Sequence, residues 1–323
     1  MKNLGRAALA LWAALAMPRA AWAANTESSS GATFLKMGQG STRAMSIGRA
    51  YVALAEGADS LNWNPAGLGV TQQKEAVYAY LRPVGEISSP LYLGYAHPMG
   101  RTVWGANIAY MSLSGLDIRD ATGRPNNDSS AQIRDGFGGL AIARSFWYEK
   151  LFLGGGLRLI HEDNAGSLHD TVTADLGALL KPNNLISLGL AVQNLGSGKG
   201  NVPSTVRGGA ALRLGDFVVT SLELSKDSDD QARVGLGAEF GLPEEYLEFG
   251  ALTFRVGYFT ADNLGASLDP RLKAFSLDRS NGFSFGFGIY TSRAFGYGVA
   301  IDYAIVPSGS LGTVDQISLK LKF

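Results

Sequence analysis

The residues best suited to acid–base or metal chemistry in this sequence are its three histidines, two of which stand beside carboxylates. His161 is followed by Glu162 and Asp163, and His169 is followed by Asp170. A carboxylate can orient an imidazole as a base or as a metal ligand, so a small His–carboxylate or metal site in this stretch is one hypothesis. The other is a solvated polar loop, which the low number of histidines in 323 residues favours.

The rest of the composition offers little catalytic chemistry. The chain has no cysteine, which excludes disulfides, thiolate metal sites, catalytic thiols and lipid-anchored cysteines. It contains no phosphate-binding loop of the Walker type and no His-Glu-x-x-His helix. Its 28 basic residues balance its 28 acidic residues, which argues against nucleic acid as a partner. We therefore predict a protein that is not an enzyme, with no catalytic residues, no metal and no cofactor.

Residues 1–23 are predicted to be a secretory signal peptide. Lys2 and Arg6 provide the positive start, residues 7–17 form a short apolar core, and Ala21-Trp22-Ala23 provides a cleavage site after Ala23. The alternative, a membrane anchor, needs a longer core, because the hydrocarbon of a bilayer is about 30 Å thick. We expect an exported protein.

Period-two alternation of apolar and small or polar residues dominates the chain from about residue 74 to the end. In the last strand, for example, Ile317, Leu319 and Leu321 share one face, while polar residues occupy the other. Stretches of this kind predict fourteen strands, near residues 76–82, 89–97, 102–113, 137–148, 151–161, 170–180, 185–193, 204–214, 217–225, 232–240, 252–258, 283–289, 294–305 and 314–323.

The character of the two strand faces indicates the fold class. The apolar face is rich in Phe, Tyr, Leu and Ile, whereas the other face carries Gly, Ala and Ser with isolated charges such as Arg158, Arg207 and Glu223. This pattern is typical of a transmembrane β-barrel, whose outer surface contacts lipid. The sequence therefore predicts an all-β fold, a 14-stranded antiparallel barrel spanning residues 74–323 in the bacterial outer membrane, with outer-membrane lipid around it. An exported soluble β-protein is the alternative.

Connection lengths support the barrel, because short and longer connections alternate along the chain as they do in outer-membrane barrels. Short turns follow every second strand, and two polar stretches, 115–135 and 260–281, are predicted to be long outer loops. Arg144 falls on an apolar face, so we expect it near a membrane interface or at a bulge. Aromatic residues are predicted to form a girdle at the short-turn end, namely Trp104, Trp147, Tyr148, Phe152, Phe217, Tyr290, Phe295 and Phe323.

Residues 24–73 precede the barrel and differ from it. Ser41 is predicted to cap a helix that runs through Ala55 and ends near Glu56-Gly57. Asn64, Pro65 and Gly67 then predict a tight turn. A compact segment of this size could fill the lumen of a 14-stranded barrel as a partly helical hatch. The alternative is a tail outside the barrel.

Several short segments of this N-terminal region are distinctive, namely Phe34–Gly38, Ser41–Tyr51 (STRAMSIGRAY), Val52–Ser60 and Trp63–Leu68. Together they resemble the N-terminal signature of the PorV/PorQ family, which is itself similar to FadL-type outer-membrane transporters. The segment Gly189–Gly196 (GLAVQNLG) also resembles a recurrent strand end of that family. The resemblance implies a 14-stranded barrel with an N-terminal hatch.

Two functions follow as hypotheses. The first is a hatch-gated channel for small hydrophobic molecules, in which pockets between hatch and wall form the path. The second, implied by the resemblance to PorV-like proteins, is a non-enzymatic accessory role in secretion, with an exported protein or a secretion component as partner and the loops 115–135 and 260–281 as contact surfaces. Core packing of the hatch is the alternative role for each proposed ligand-path residue, namely Phe34, Leu35, Met37, Trp63 and Leu68.

Overall fold

The computed structural model describes residues 40–82, 91–119, 123–164, 166–196, 202–247, 250–261, 266, 269–274, 280–294 and 296–323. Within them, fourteen antiparallel strands form a closed barrel in which each strand pairs with its sequence neighbours, and the first pairs with the last. The predicted all-β barrel is confirmed. Its strands are β1 (Glu75–Arg82), β2 (Leu91–Met99), β3 (Thr102–Arg119), β4 (Pro125–Phe146), β5 (Leu151–Asn164), β6 (Ser167–Leu180), β7 (Ile186–Leu195), β8 (Thr205–Leu214), β9 (Val218–Asp227), β10 (Ala232–Leu242), β11 (Ala251–Phe259), β12 (Phe283–Ala294), β13 (Tyr297–Pro307) and β14 (Thr313–Lys322).

The alternation along the strands separates an apolar exterior from a small and polar interior. Leu140 is 70% exposed on the outer face of β4, whereas its neighbour Ala141 is buried. Outward-facing Leu, Ile, Phe and Tyr recur on nearly every strand, and the inward face carries glycines and ion-paired charges. An apolar outer surface of this kind is stable only against lipid or another apolar medium.

The connections alternate between a turn end and a loop end of the barrel, as predicted, but the third connection differs from the prediction. Instead of a loop over 115–135, β3 and β4 continue as a paired hairpin, with Leu116 opposite Ala131. Two register shifts accommodate the extension. Backbone pairing therefore continues through a polar stretch in which apolar alternation is limited to Leu116 and Ile118. In the eleventh connection, the described residues include a short helix, α2 (Pro270–Ala274).

Two residues at the turn end show how the alternation along a strand decides whether a side chain faces outward or into the lumen. Arg144 is exposed two positions before the end of β4 and pairs in continuous register with Thr102 and Leu153, so it lies near the barrel rim and not at a bulge. Phe152, predicted for the aromatic girdle, is instead 4% exposed and packs inside the barrel, because its parity is that of the inward face. The girdle residues Trp104, Trp147, Tyr148, Phe217 and Phe323 are exposed, and Phe295 lies outside the described residues.

Residues 40–73 lie inside the barrel and form the hatch. The Ser41 hydroxyl accepts a hydrogen bond from the Ala44 N–H and caps α1 (Thr42–Ser46), but the predicted helix through Ala55 is wrong beyond Ser46. Gly48 and Arg49 adopt left-handed backbone conformations, with φ of 62° and 60°, which end the helix. Two 3₁₀ helices follow, Gly57–Asn62 and Pro65–Val70. No helix in the described part of the chain is long and apolar enough to cross a membrane.

Candidate functional site

The hatch contacts the barrel wall most closely where the wall strands carry inward-facing glycines. A Cβ atom added to Gly235 would lie 2.5 Å from the carbonyl oxygen of Gly48, and one added to Gly154 would lie 2.5 Å from the carbonyl carbon of Pro65. Any side chain there would displace the hatch backbone. We call the set the wall glycines; it comprises Gly154, Gly177, Gly189, Gly235, Gly237, Gly257 and Gly286.

A buried carboxylate on β9 holds the segment of the hatch that would otherwise continue as helix. One oxygen of Glu223 accepts hydrogen bonds from the backbone N–H groups of Tyr51 at 2.9 Å and Val52 at 2.7 Å. Its other oxygen pairs with Arg207 at 3.0 Å. These backbone donors are satisfied by the wall and not by a helical turn, which explains why sequence periodicity alone misplaced the helix.

A chain of alternating charges crosses from the hatch to β10, β11 and β13. Arg43 binds both Glu239 of the wall and Glu56 of the hatch, at 2.7 and 2.6 Å. Glu239 also pairs with Arg255, which in turn binds Asp302. Burial would raise the pKa of Glu56, but the charges of Arg43 and Lys181 outweigh it and lower the pKa to about 2.

A second ionic contact joins the first 3₁₀ helix to the barrel seam between β1 and β14. The ammonium group of Lys320 lies 2.8 Å from Asp59 and 3.7 Å from Glu75. Glu75 also accepts a hydrogen bond from the Ala58 N–H. Burial of Asp59 and the nearby charge of Glu75 raise its pKa to about 6, although the charge of Lys320 acts in the opposite direction.

The GLAVQNLG segment forms a bulge on β7 that contacts the hatch. Asn194 has a φ of 58°, its backbone N–H donates to Asp175, and its side chain accepts from Arg158. Gln193 donates to the backbone oxygen of Asn62 in the hatch. In the sequence, the resemblance identifies this segment only as a recurrent strand end. The Gln-Asn-Leu-Gly sequence, with an Asn suited to positive φ before a Gly, is the signal that could have identified the bulge.

Opposite these ionic contacts, the hatch meets the wall through apolar side chains together with a few hydrogen bonds, such as those from Tyr92 to the Ala58 carbonyl and from Asn107 to Asn62. Leu61 and Leu68 of the hatch are both buried against inward residues of β1 to β5. We call this cluster the apolar seam. Its members are Ala58, Leu61, Leu68, Val77, Ala79, Tyr92, Ala96, Val103, Ala109, Met111, Phe137, Ala141, Ala143, Ile160 and Val202.

The proposed ligand-path residues fall on both sides of the hatch. Leu68 belongs to the apolar seam, whereas Trp63 packs edge-on against Tyr51 and under the guanidinium of Arg207, 4.6 Å from its ring. Both side chains are packed, with exposed fractions of 0% and 2%. The other three candidates, Phe34, Leu35 and Met37, lie outside the described residues.

The predicted turn residues begin the second 3₁₀ helix. Asn64 caps it, accepting from the Ala66 N–H and donating to the backbone oxygens of Val52 and Ala178. Pro65 occupies the first helical position. A Cβ atom on Gly67 would lie 2.5 Å from the carbonyl oxygen of Ala55, so only glycine fits there. These residues fold the hatch back on itself.

The residues that could do acid–base chemistry are not brought together as a catalytic or metal site. The polar loop expected around His161 and Asp170 is wrong, because the two residues lie opposite each other on β5 and β6, where they pair at 2.7 Å on the surface. His97 lies 3.0 Å from the Tyr95 hydroxyl at the turn end. Among the described residues, no group of three metal-ligating side chains converges. Gly282–Gly286 has the spacing of a nucleophile elbow, but Ser284 lies within β12 and accepts a hydrogen bond from the Gly48 N–H.

Together, the closed barrel, its apolar exterior and the hatch in its lumen define the architecture of FadL-type β-barrels. The chain is similar to the crystal structure of a Pseudomonas aeruginosa FadL homologue, with 10% identity over 87% of this chain and 97% of that one and a TM-score of 0.55. It is also similar to the Ralstonia pickettii toluene transporter TbuX, with 12% identity, 85% and 96% coverage and a TM-score of 0.56. A third similar structure is the TodX monoaromatic hydrocarbon channel, in a deletion mutant, with 12% identity, 86% and 98% coverage and a TM-score of 0.53.

At the level of sequence, no family model and no curated protein matches the chain. The similarity to solved structures therefore concerns the fold. The predicted FadL-type architecture agrees with these structures, and the PorV/PorQ assignment stays a prediction.

Proposed function

We propose that the protein is a bacterial outer-membrane channel for small hydrophobic molecules, gated by the hatch. In this proposal, residues 1–23 are a signal peptide cleaved after Ala23, residues 24–73 form the hatch and residues 74–323 form the barrel in outer-membrane lipid. The apolar exterior, the even number of strands and the turn and loop ends support this placement. The similar structures titled as a toluene transporter and a monoaromatic hydrocarbon channel support the class of substrate.

The apolar seam is the observation that carries the proposal. Ionic contacts hold the hatch to β9, β10 and β14, whereas Leu61 and Leu68 contact β1 to β5 through apolar packing. Apolar surfaces can separate without breaking ion pairs, and a hydrophobic molecule can then bind between them. Leu68 and Trp63, together with Phe34, Leu35 and Met37, are the proposed residues of the ligand path.

Flux measurements on the full mature chain in liposomes would test this proposal. We expect radiolabelled toluene to equilibrate faster with the protein than without it, and Leu68→Ala to raise the rate by loosening the seam. Met45→Ala is the matched control, because Met45 is a buried hatch side chain in a separate cluster with Ala304 and Val306. Equal rates in empty and protein-containing liposomes, for a panel of apolar probes, would contradict a channel role.

The hairpin of β3 and β4 favours a second candidate function. These strands have 18 and 22 residues, whereas about 9–11 residues suffice to span a membrane. The hairpin therefore extends beyond the bilayer at the loop end, where an accessory protein of a secretion system, of the PorV/PorQ type, would hold an exported protein or a secretion component. Deleting 115–135 or 260–281 should then remove co-purifying partners while leaving toluene flux unchanged. Retention of every partner would count against this role.

A further inference from the structure

A polar cavity of about 250 Å³ lies at the loop end of the barrel, with the hatch as its floor. Gly48 and Arg49 contribute from the hatch, and the remaining lining comes from the ends of β8 to β13 and the connections that follow them. Its charged side chains are three arginines, Arg49, Arg207 and Arg233, and three carboxylates, Glu223, Asp227 and Asp230.

Arg49 is the arginine of this cavity that has no anionic partner. Arg207 pairs with Glu223 at 3.0 Å, and Arg233 pairs with Asp230 at 2.7 Å. In the described part of the chain, no carboxylate lies within ion-pair distance of Arg49, and its Nε is buried without a hydrogen-bond acceptor. The guanidinium instead stacks 4.8 Å from the ring centre of Phe259.

The electrostatic environment makes this arrangement costly without a ligand. Burial, and then the like charges of Arg207 and Arg233, lower the pKa of Arg49 to about 10, and the carboxylates Asp227 and Glu223 offset this only in part. A partly buried cation lacking a hydrogen-bonded counter-ion carries a desolvation cost. A planar carboxylate matches the guanidinium, because it accepts two parallel hydrogen bonds from it.

We propose that this cavity binds a small organic carboxylate, with the carboxylate on Arg49 and a compact apolar body against Phe259 and Pro307. The cavity volume suits a single ring or short chain, since pockets for larger ligands are about 300–1,000 Å³. The carboxylates Asp227 and Asp230 at its rim disfavour ligands with more than one negative charge. The site is a feature of the barrel mouth and does not depend on transport past the hatch.

Titration calorimetry on the full mature protein in non-ionic detergent tests the proposal, with benzoate as the probe and benzyl alcohol as its uncharged counterpart. We expect one saturable benzoate site and no saturable binding of benzyl alcohol. Arg49→Gln should weaken benzoate binding by at least about tenfold, because it removes a charge-assisted hydrogen bond. Arg213→Gln is the control, since Arg213 is exposed at the turn end of the strand that carries Arg207.

Three results would overturn the site: equal affinity for benzoate and benzyl alcohol, unchanged benzoate affinity in Arg49→Gln, or sulfate competing as strongly as benzoate. Should Arg49→Gln fail to form a compact barrel on gel electrophoresis, Phe259→Ala provides the second variant, with benzoate binding expected to weaken by about fivefold through loss of the stacking surface. Benzoate binding is measured at equilibrium and toluene flux is a rate, so the two tests are independent. Absence of toluene flux would not contradict the benzoate site, and absence of benzoate binding would not contradict the channel.

Discussion

Arg43 of the hatch donates two hydrogen bonds to Glu239 of the wall, one from Nε and one from Nη2, each 2.7 Å long. The fork of the guanidinium thus faces both oxygens of one carboxylate, a geometry that fixes position as well as charge. The side chain of Glu239 is only 7% exposed. Its removal would leave Arg43 and Arg255 each without one counter-ion inside the lumen.

Glu239→Gln is therefore expected to lower the free energy of unfolding by about 3 kcal/mol, the usual effect of breaking a buried ion pair on one side. Urea unfolding in detergent micelles, followed by tryptophan fluorescence, measures the change. Asp170→Asn is the control, because Asp170 pairs with His161 while 68% exposed, and surface pairs contribute little. Equal stability of the two variants would show that the hatch contact adds no more than a surface pair.

Gly235→Ala should displace the hatch without disrupting the barrel, because its new methyl group would meet the carbonyl oxygen of Gly48. The natural chain has no cysteine, so Ser46→Cys, buried in the hatch, can report on exposure. We expect maleimide labelling to accelerate by about tenfold, as overpacking of 1–3 kcal/mol would favour an opened hatch.

Gly241→Ala provides the matched control on the same strand and face, since an added Cβ there has no neighbour closer than 3.9 Å. Its labelling rate should equal that of the parent chain. Similar rates in the two alanine variants would mean that close approach at Gly235 does not position the hatch.

Asp59 is expected to make stability depend on pH between about 4 and 6. Its pKa rises from 3.8 when unfolded to about 6 when folded, chiefly through burial, so the folded protein binds this proton more tightly. Its contribution therefore favours folding most below pH 4 and is lost as pH rises through 6. Asp59→Asn should remove this dependence. If the difference in free energy of unfolding between the parent chain and Asp59→Asn stayed constant from pH 4 to 7, this role of Asp59 would be contradicted.

Leu140→Lys should impair insertion into bilayers. Leu140 faces outward six residues from the end of β4, which at about 3.3 Å per residue and a tilt of about 40° places it near the bilayer midplane, where a lysine costs about 2–4 kcal/mol. Leu168→Lys, outward and at the loop end of β6, should cost about 1 kcal/mol or less. Folding yields into liposomes measure both. Equal yields would contradict a lipid-facing exterior at Leu140.

The strands could be predicted because one face of each strand contacts lipid and the other faces the lumen, which produces a local alternation of residue types. Ile317, Leu319 and Leu321 illustrate the apolar half of this alternation. The hatch could be predicted only in outline. Its helix ends at Ser46, before the left-handed Gly48 and Arg49, and Glu223, 171 positions further along the chain than Val52, binds the N–H groups of Tyr51 and Val52. Long-range contacts of this kind leave no periodic signal, and the pairing that extends β3 and β4 leaves only a short one, at Leu116 and Ile118. The partnerless Arg49 likewise becomes visible only when its surroundings are known.

The ionic contact between Lys320 and Asp59 has a consequence for biogenesis. Lys320 lies on β14, opposite Val77 of β1. The strand that closes the barrel therefore also binds the hatch, through Asp59. A hatch seated against glycines on six strands cannot be threaded through a finished cylinder of this kind. The N-terminal segment must already lie in the concave face of the nascent sheet when its first and last strands meet, and enclosure and plugging are then one event.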